Sequence, residues 1–101
     1  MSDAIEPGEL RERLASGENI YLLDVREPDE VAQWAFPGAV NIPLGSLGER
    51  TAELPIDRPI VVTCHAGVRS ASAADALEKA GWDARSLAGG AVAWIETEPT
   101  R

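Results

Sequence analysis

Apolar positions along this chain fall into two patterns. In "EPGELRERLASGEN", residues 6 to 19, Leu10 and Leu14 stand four apart among charged neighbours, Pro7 suits a first helical turn and Gly17 suits a stop, which predicts a short amphipathic helix. In "NIYLLDV" the apolar residues run without a break, as in a strand buried on both faces, with Asp24 at its carboxyl end. "EPDEVAQW" is acidic where a helix begins, and Val40 to Ile42 of "FPGAVNIP" form a short strand between prolines. "LGSLGERTAEL" predicts a weaker helix, loosened by Gly45 and Gly48.

The pattern then repeats. "RPIVVTC" is a second buried strand, rich in β-branched residues and ending at Cys64. "RSASAADALEKAG" follows as a helix with Ala73, Leu77 and Ala80 on one face and Gly81 as its stop. "WDARSLAGG" gives a short strand and a glycine turn, and "AVAWIETEP" a last helical turn or two before Pro99. Strands alternating with helices over short connections predict an α/β fold, a mainly parallel sheet with helices on both faces.

Composition bounds the function. A chain of 101 residues with 45% hydrophobic and 26% charged side chains is expected to be one soluble domain, residues 1 to 101. Nine basic against seventeen acidic side chains give a net charge of −8, so neither nucleic acid nor an anionic membrane surface is an expected partner. "MSDAIEPGEL" lacks the features of a signal peptide, and one cysteine forms no internal disulfide, so the expected setting is the cytoplasm. With one cysteine and one histidine there is no usual zinc-ligand cluster, and no metal or cofactor is expected.

The single cysteine is the informative residue. A lone cysteine is most often a small buried apolar side chain. Cys64, however, ends a central strand of a parallel sheet, at the edge where such sheets bind ligands. The stretch "HAGVRS" must then turn sharply into a helix, with Gly67 supplying the conformational freedom. Amides of such a turn form an anion nest at the positive end of the helix. A thiol with a pKa near ~8.5 is only about 3% ionised at neutral pH, whereas one lowered to ~6.5 is roughly three-quarters ionised. Arg69 is placed to favour the thiolate and to hold an incoming oxyanion.

"YLLDVREPDE", "PGAVNIPL", "PIVVTCHAGVRSASAADALEKAGW" and "LAGGAVAW", in this order and spacing, resemble the rhodanese family, sulfurtransferase domains that carry sulfur as a cysteine persulfide. The resemblance covers nearly the whole chain. It implies a rhodanese-like, five-stranded parallel sheet, with an extra edge strand around Ala4 and Ile5. It makes Cys64 the nucleophile and the loop of Cys64, His65, Ala66, Gly67, Val68 and Arg69 the substrate cradle, with Asp24 and Arg26 as a supporting pair that either braces the loop or meets the substrate. Gly89 and Gly90 match an architectural turn. The family commonly has a glycine and a histidine before the apolar residue that precedes "PGA"; here Trp34 and Ala35 stand instead.

The implied reaction moves a sulfane sulfur from thiosulfate or a related small anionic donor, through a Cys64 persulfide, to cyanide or to a thiol or protein acceptor. Amides of residues 65 to 69 and Arg69 would stabilise the charges formed. His65, adjacent to Cys64 in a tight loop, points elsewhere and belongs to the rim. Two alternatives stand beside this one. The first is a persulfide carrier or recognition module working with a partner. The second is a cysteine phosphatase or arsenate reductase of the same fold, whose arginine lies six residues after the cysteine; here the interval is five, which makes a smaller cradle.

Overall fold

The computed structural model describes residues 3–99. Among the described residues, four parallel strands form one sheet in the order β2-β1-β3-β4, with β1 Tyr21–Asp24, β2 Val40–Asn41, β3 Ile60–Thr63 and β4 Ala84–Ser86. The α-helices that accompany it are α1 Pro7–Ala15, α2 Pro28–Gln33, α3 Leu44–Leu47, α4 Val68–Lys79 and α5 Gly90–Glu96. No helix among the described residues is long and apolar enough to cross a membrane.

The unbroken apolar runs have the burial they imply. All four residues of β3 are buried, because β1 and β4 flank it and helices cover both faces. Alternation along the strands divides the core in two. Leu23, Val25, Ile60, Val62 and Cys64 face one layer, against Ala73, Ala74 and Leu77 of α4. Leu22 and Val61 face the other, against Leu10 of α1, Phe36 and the half-buried Trp94 of α5. Cys64 is thus directed under α4 by the two-residue period it shares with Ile60 and Val62. The β-strand itself ends one residue earlier than expected, at Thr63.

The expected fifth strand does not form among the described residues. Ile5 makes one isolated parallel bridge to Leu87, its N–H donating to Ser86 O and its carbonyl accepting from Ala88 N. Pro7 then begins α1 and takes the chain out of the sheet, while the carbonyls of Asp3 and Ala4 are taken by the Arg85 guanidinium. The shared face of α4 is also shorter than expected. Ala73 and Leu77 are buried together with Ala74, whereas Ala80 follows the helix end and is exposed.

Helix α2 buries none of its six residues completely. Polar links secure it instead: the buried Arg26 donates from Nη2 to Trp34 O at 2.8 Å, and Glu30 accepts from its own N-cap, Glu27 N, at 2.9 Å. This short helix bears directly on the thiol loop.

Candidate active site

Between β3 and α4 the chain turns within Cys64 to Gly67, and Gly67 is the left-handed residue that makes the turn, with φ of 95°. The turn brings donors onto the cysteine sulfur. Gly67 N donates to Cys64 Sγ at 3.1 Å and Ser70 N at 3.4 Å, while the thiol itself donates to Ser70 Oγ at 3.4 Å. Cys64 is only 1% exposed and sits among apolar core side chains, yet the amides of its bend face the sulfur. Burial alone pushes the thiol up. Donation to the thiolate from the Ser70 hydroxyl and from the amides of Ser70, Gly67 and Ala66 outweighs it, and the net effect is a thiol more acidic than usual.

The donor set differs from the expected one in a specific way. Ser70, one residue beyond the expected stretch of amides, meets the sulfur twice: its N–H donates to Sγ, and its hydroxyl oxygen accepts from the thiol. A serine in the first turn of the helix that closes an anion nest is the sequence signal for it, since amides there have no helical acceptor of their own. His65 is exposed, as expected of a rim residue, and Val68 is 77% exposed.

Arg69 does not point a free charge at the thiol. Its Nη1 and Nη2 grip Oε1 and Oε2 of Glu30 at 2.7 and 2.9 Å, a two-pronged ion pair between α4 and α2. The Arg69 donors, with help from Glu27 N, hold the Glu30 carboxyl down at about 2. Arg69 nonetheless acts electrostatically on Cys64, and a guanidinium has further N–H groups to offer an anion. Glu30 escapes a reading by motif because its partner is 39 positions away.

Asp24 and Arg26 form a buried ion pair. Arg26 Nη2 lies 2.7 Å from Asp24 Oδ2, its Nε is 3.1 Å from both carboxylate oxygens, and both side chains are almost fully buried. The same guanidinium reaches the end of α2 through Trp34 O. Asn41 of β2 ties the other side, donating to Asp24 O and Arg26 O at 2.9 Å each.

The glycine turn holds the cradle from below. At the start of α5, Ala91 N donates to the carbonyl of Cys64 at 2.8 Å and Val92 N to the carbonyl of His65 at 3.0 Å. Fixing the His65 carbonyl also fixes the Ala66 amide of the same peptide, one of the amides that make the thiol more acidic. Gly90 is required here: φ is 59°, and a Cβ would stand 2.5 Å from Cys64 O and 2.7 Å from His65 O.

A cleft of about 310 Å³ opens beside the loop, lined by Arg26, Glu30, Trp34, His65, Val92 and Ile95 among others. Trp34 serves two surfaces. It packs edge-on against Phe36 with ring centroids 5.8 Å apart and also walls the cleft.

A parallel α/β sheet carrying a thiol in a nest of amides at the end of its central strand defines a class of cysteine-loop proteins. The rhodanese-like domain model matches residues 6–97, and the chain belongs to that family. A sulfurtransferase of Allochromatium vinosum is 37% identical over 95 residues, covering 93% of this chain and 89% of that protein. MoeZ of Mycobacterium tuberculosis, named "probable adenylyltransferase/sulfurtransferase", is 50% identical over 95 residues, which are 91% of this chain and 24% of that protein. The human single-domain sulfurtransferase TSTD1 superimposes with a TM-score of 0.83 at 30% identity, covering 98% of this chain and all of that one. Family membership supports sulfur transfer or sulfur carriage as the class of function.

Proposed function

We propose that this chain is a sulfurtransferase domain in which Cys64 carries the transferred sulfur as a persulfide. What carries the reading is the pair of amides that donate to Cys64 Sγ, Gly67 N and Ser70 N, with the Ser70 hydroxyl hydrogen-bonded to the same sulfur. Such donors favour a thiolate, the form of cysteine that attacks sulfur. They also suit a persulfide anion at the same place.

With thiosulfate as donor, the Cys64 thiolate attacks the outer sulfur and forms a new S–S bond. The S–S bond of thiosulfate breaks, and its electron pair leaves with sulfite. A second nucleophile, cyanide or a thiol, then attacks the outer sulfur of the persulfide, and the bonding pair returns to Sγ, where the amides receive the charge. Arg69 attracts the anionic donor, and Glu30 limits that attraction. Asp24 and Arg26 brace the loop, and His65 with Val68 forms its rim. The reaction calls for no metal or cofactor, and a reducing cytoplasm suits a thiol of this kind.

Sulfur carriage with a partner protein is the second reading, favoured by the likeness to the Bacillus subtilis protein YrkF, named "putative sulfur carrier protein", which is 39% identical over 72 residues, 71% of this chain and 39% of that protein. Incubation of the purified chain with thiosulfate and cyanide tests both. Continuous thiocyanate formation is expected of the enzyme, and a single turnover per chain of the carrier. Faster hydrolysis of an aryl phosphate than sulfur transfer would overturn both in favour of phosphate chemistry.

A further inference from the structure

Behind the thiol lies a second hydroxyl that the reaction above does not use. Ser70 Oγ is 3.4 Å from Cys64 Sγ and 2.7 Å from Ser86 Oγ. Ser70 is completely buried and Ser86 is 5% exposed, so the row of sulfur, hydroxyl and hydroxyl is closed off from bulk water. Ser86 ends β4, directly beside Val62 of the strand that delivers Cys64. Building on the sulfur-transfer reading of Cys64, we propose that Ser86 is a positioning residue, which turns the Ser70 hydroxyl toward the sulfur whenever the sulfur is charged.

The chemistry follows from what a hydroxyl can do, since each has one proton to give and lone pairs to receive. While Cys64 is a thiol, its S–H donates to Ser70 Oγ, whose own proton is given to Ser86 Oγ. When the thiol proton departs to solvent or to a base, both hydroxyls rotate. Ser86 then donates to Ser70, and Ser70 donates to Sγ. No heavy atom moves and no bond between heavy atoms changes. Without Ser86, the Ser70 oxygen loses the donor that polarises it, and its hydrogen bond to the sulfur weakens.

The charged groups near the sulfur are engaged with other partners and leave this row intact. Arg69 of α4 acts on the sulfur and is gripped by Glu30 of α2. Asp24 and Arg26, at the end of β1 and just after it, are paired with each other, and His65 is exposed. Arg85 of β4 turns away to Asp3, Ala4 and Glu9.

The experiment is the pH dependence of Cys64 alkylation by iodoacetamide in the full chain, which uses no sulfur donor and so is decided separately from the persulfide chemistry. Ser86→Ala is expected to raise the midpoint by about half a pH unit and Ser70→Ala by about one. The double variant is expected to match Ser70→Ala alone, because Ser86 acts only through Ser70. Ser86→Thr, which keeps the hydroxyl, is expected to titrate like the parent, and it stands as the reference should the alanine variant not fold. An unchanged midpoint in Ser86→Ala, a further rise when Ser86→Ala is added to Ser70→Ala, or a Ser86→Thr midpoint raised by about half a unit would each overturn the proposal.

Discussion

Arg69 and Glu30, 39 residues apart in sequence, meet through two parallel hydrogen bonds of 2.7 and 2.9 Å beside the thiol loop. The cation of the cradle is therefore shared with a carboxylate before any substrate arrives. In the proposed reaction a dianionic donor would approach Arg69 against the charge of Glu30. Glu30→Gln removes that charge while leaving an amide oxygen for Glu27 N. It is expected to raise kcat/KM for thiosulfate about fivefold at low salt, with the gain shrinking as ionic strength rises. Initial rates at two salt concentrations measure it, and a fall in kcat/KM would mean that Arg69 needs Glu30 to be positioned at all.

The same pair makes stability depend on acid. The Glu30 carboxyl titrates at about 2 in the folded chain against an ordinary value of 4.5. Its stabilisation is thus complete above about 4.5 and is lost as pH falls from there toward 2. Urea midpoints from pH 6 down to about 2.5 are expected to fall less steeply for Glu30→Gln than for the parent. Parallel curves would remove Glu30 from the account of acid sensitivity.

Asp24 and Arg26 are a different kind of pair, because both are buried. Asp24→Asn leaves the Arg26 charge without its counter-ion inside the fold, and a loss of about 3 kcal/mol in unfolding free energy is expected. Equilibrium urea unfolding reads this directly. A loss below about 1 kcal/mol would be what an exposed pair gives, and would argue against the brace.

Much of this architecture is legible in the residues. "NIYLLDV" and "RPIVVTC" announce buried strands because a strand flanked on both sides has no polar face to show. The turn after Cys64 is legible because Gly67 is required there, and α4 because its small residues repeat at helical spacing. The sheet edge is less so: whether Ile5 makes a strand or a single bridge depends on Pro7 and on the reach of Arg85, which lies 81 residues from Ala4. Glu30 and Ser86 are invisible for the same reason. Each is an ordinary polar residue in its own segment and gains its role from a partner that the fold brings from another element.

Gly90 links the last helix to the thiol loop, and its replacement separates shape from chemistry. In Gly90→Ala the new methyl meets the carbonyls of Cys64 and His65 at a positive φ. A loss of at least about 2 kcal/mol of stability is expected from strain, and a displaced loop should slow reaction at Cys64 about tenfold or more. Gly8→Ala in α1, where nothing lies within 4 Å of the added methyl, is the control and should leave the Cys64 rate unchanged. Equal rates in the two variants would show that the α5 contact does not align the cradle.

The central claim is that main-chain and serine donors make Cys64 a carrier of one sulfur atom. Intact-mass analysis of the parent chain and of Cys64→Ala after treatment with thiosulfate tests it most directly. The account predicts a gain of one sulfur in the parent, removed by cyanide, and none in the variant. A parent chain that gains no sulfur, or a variant that gains as much, would contradict it.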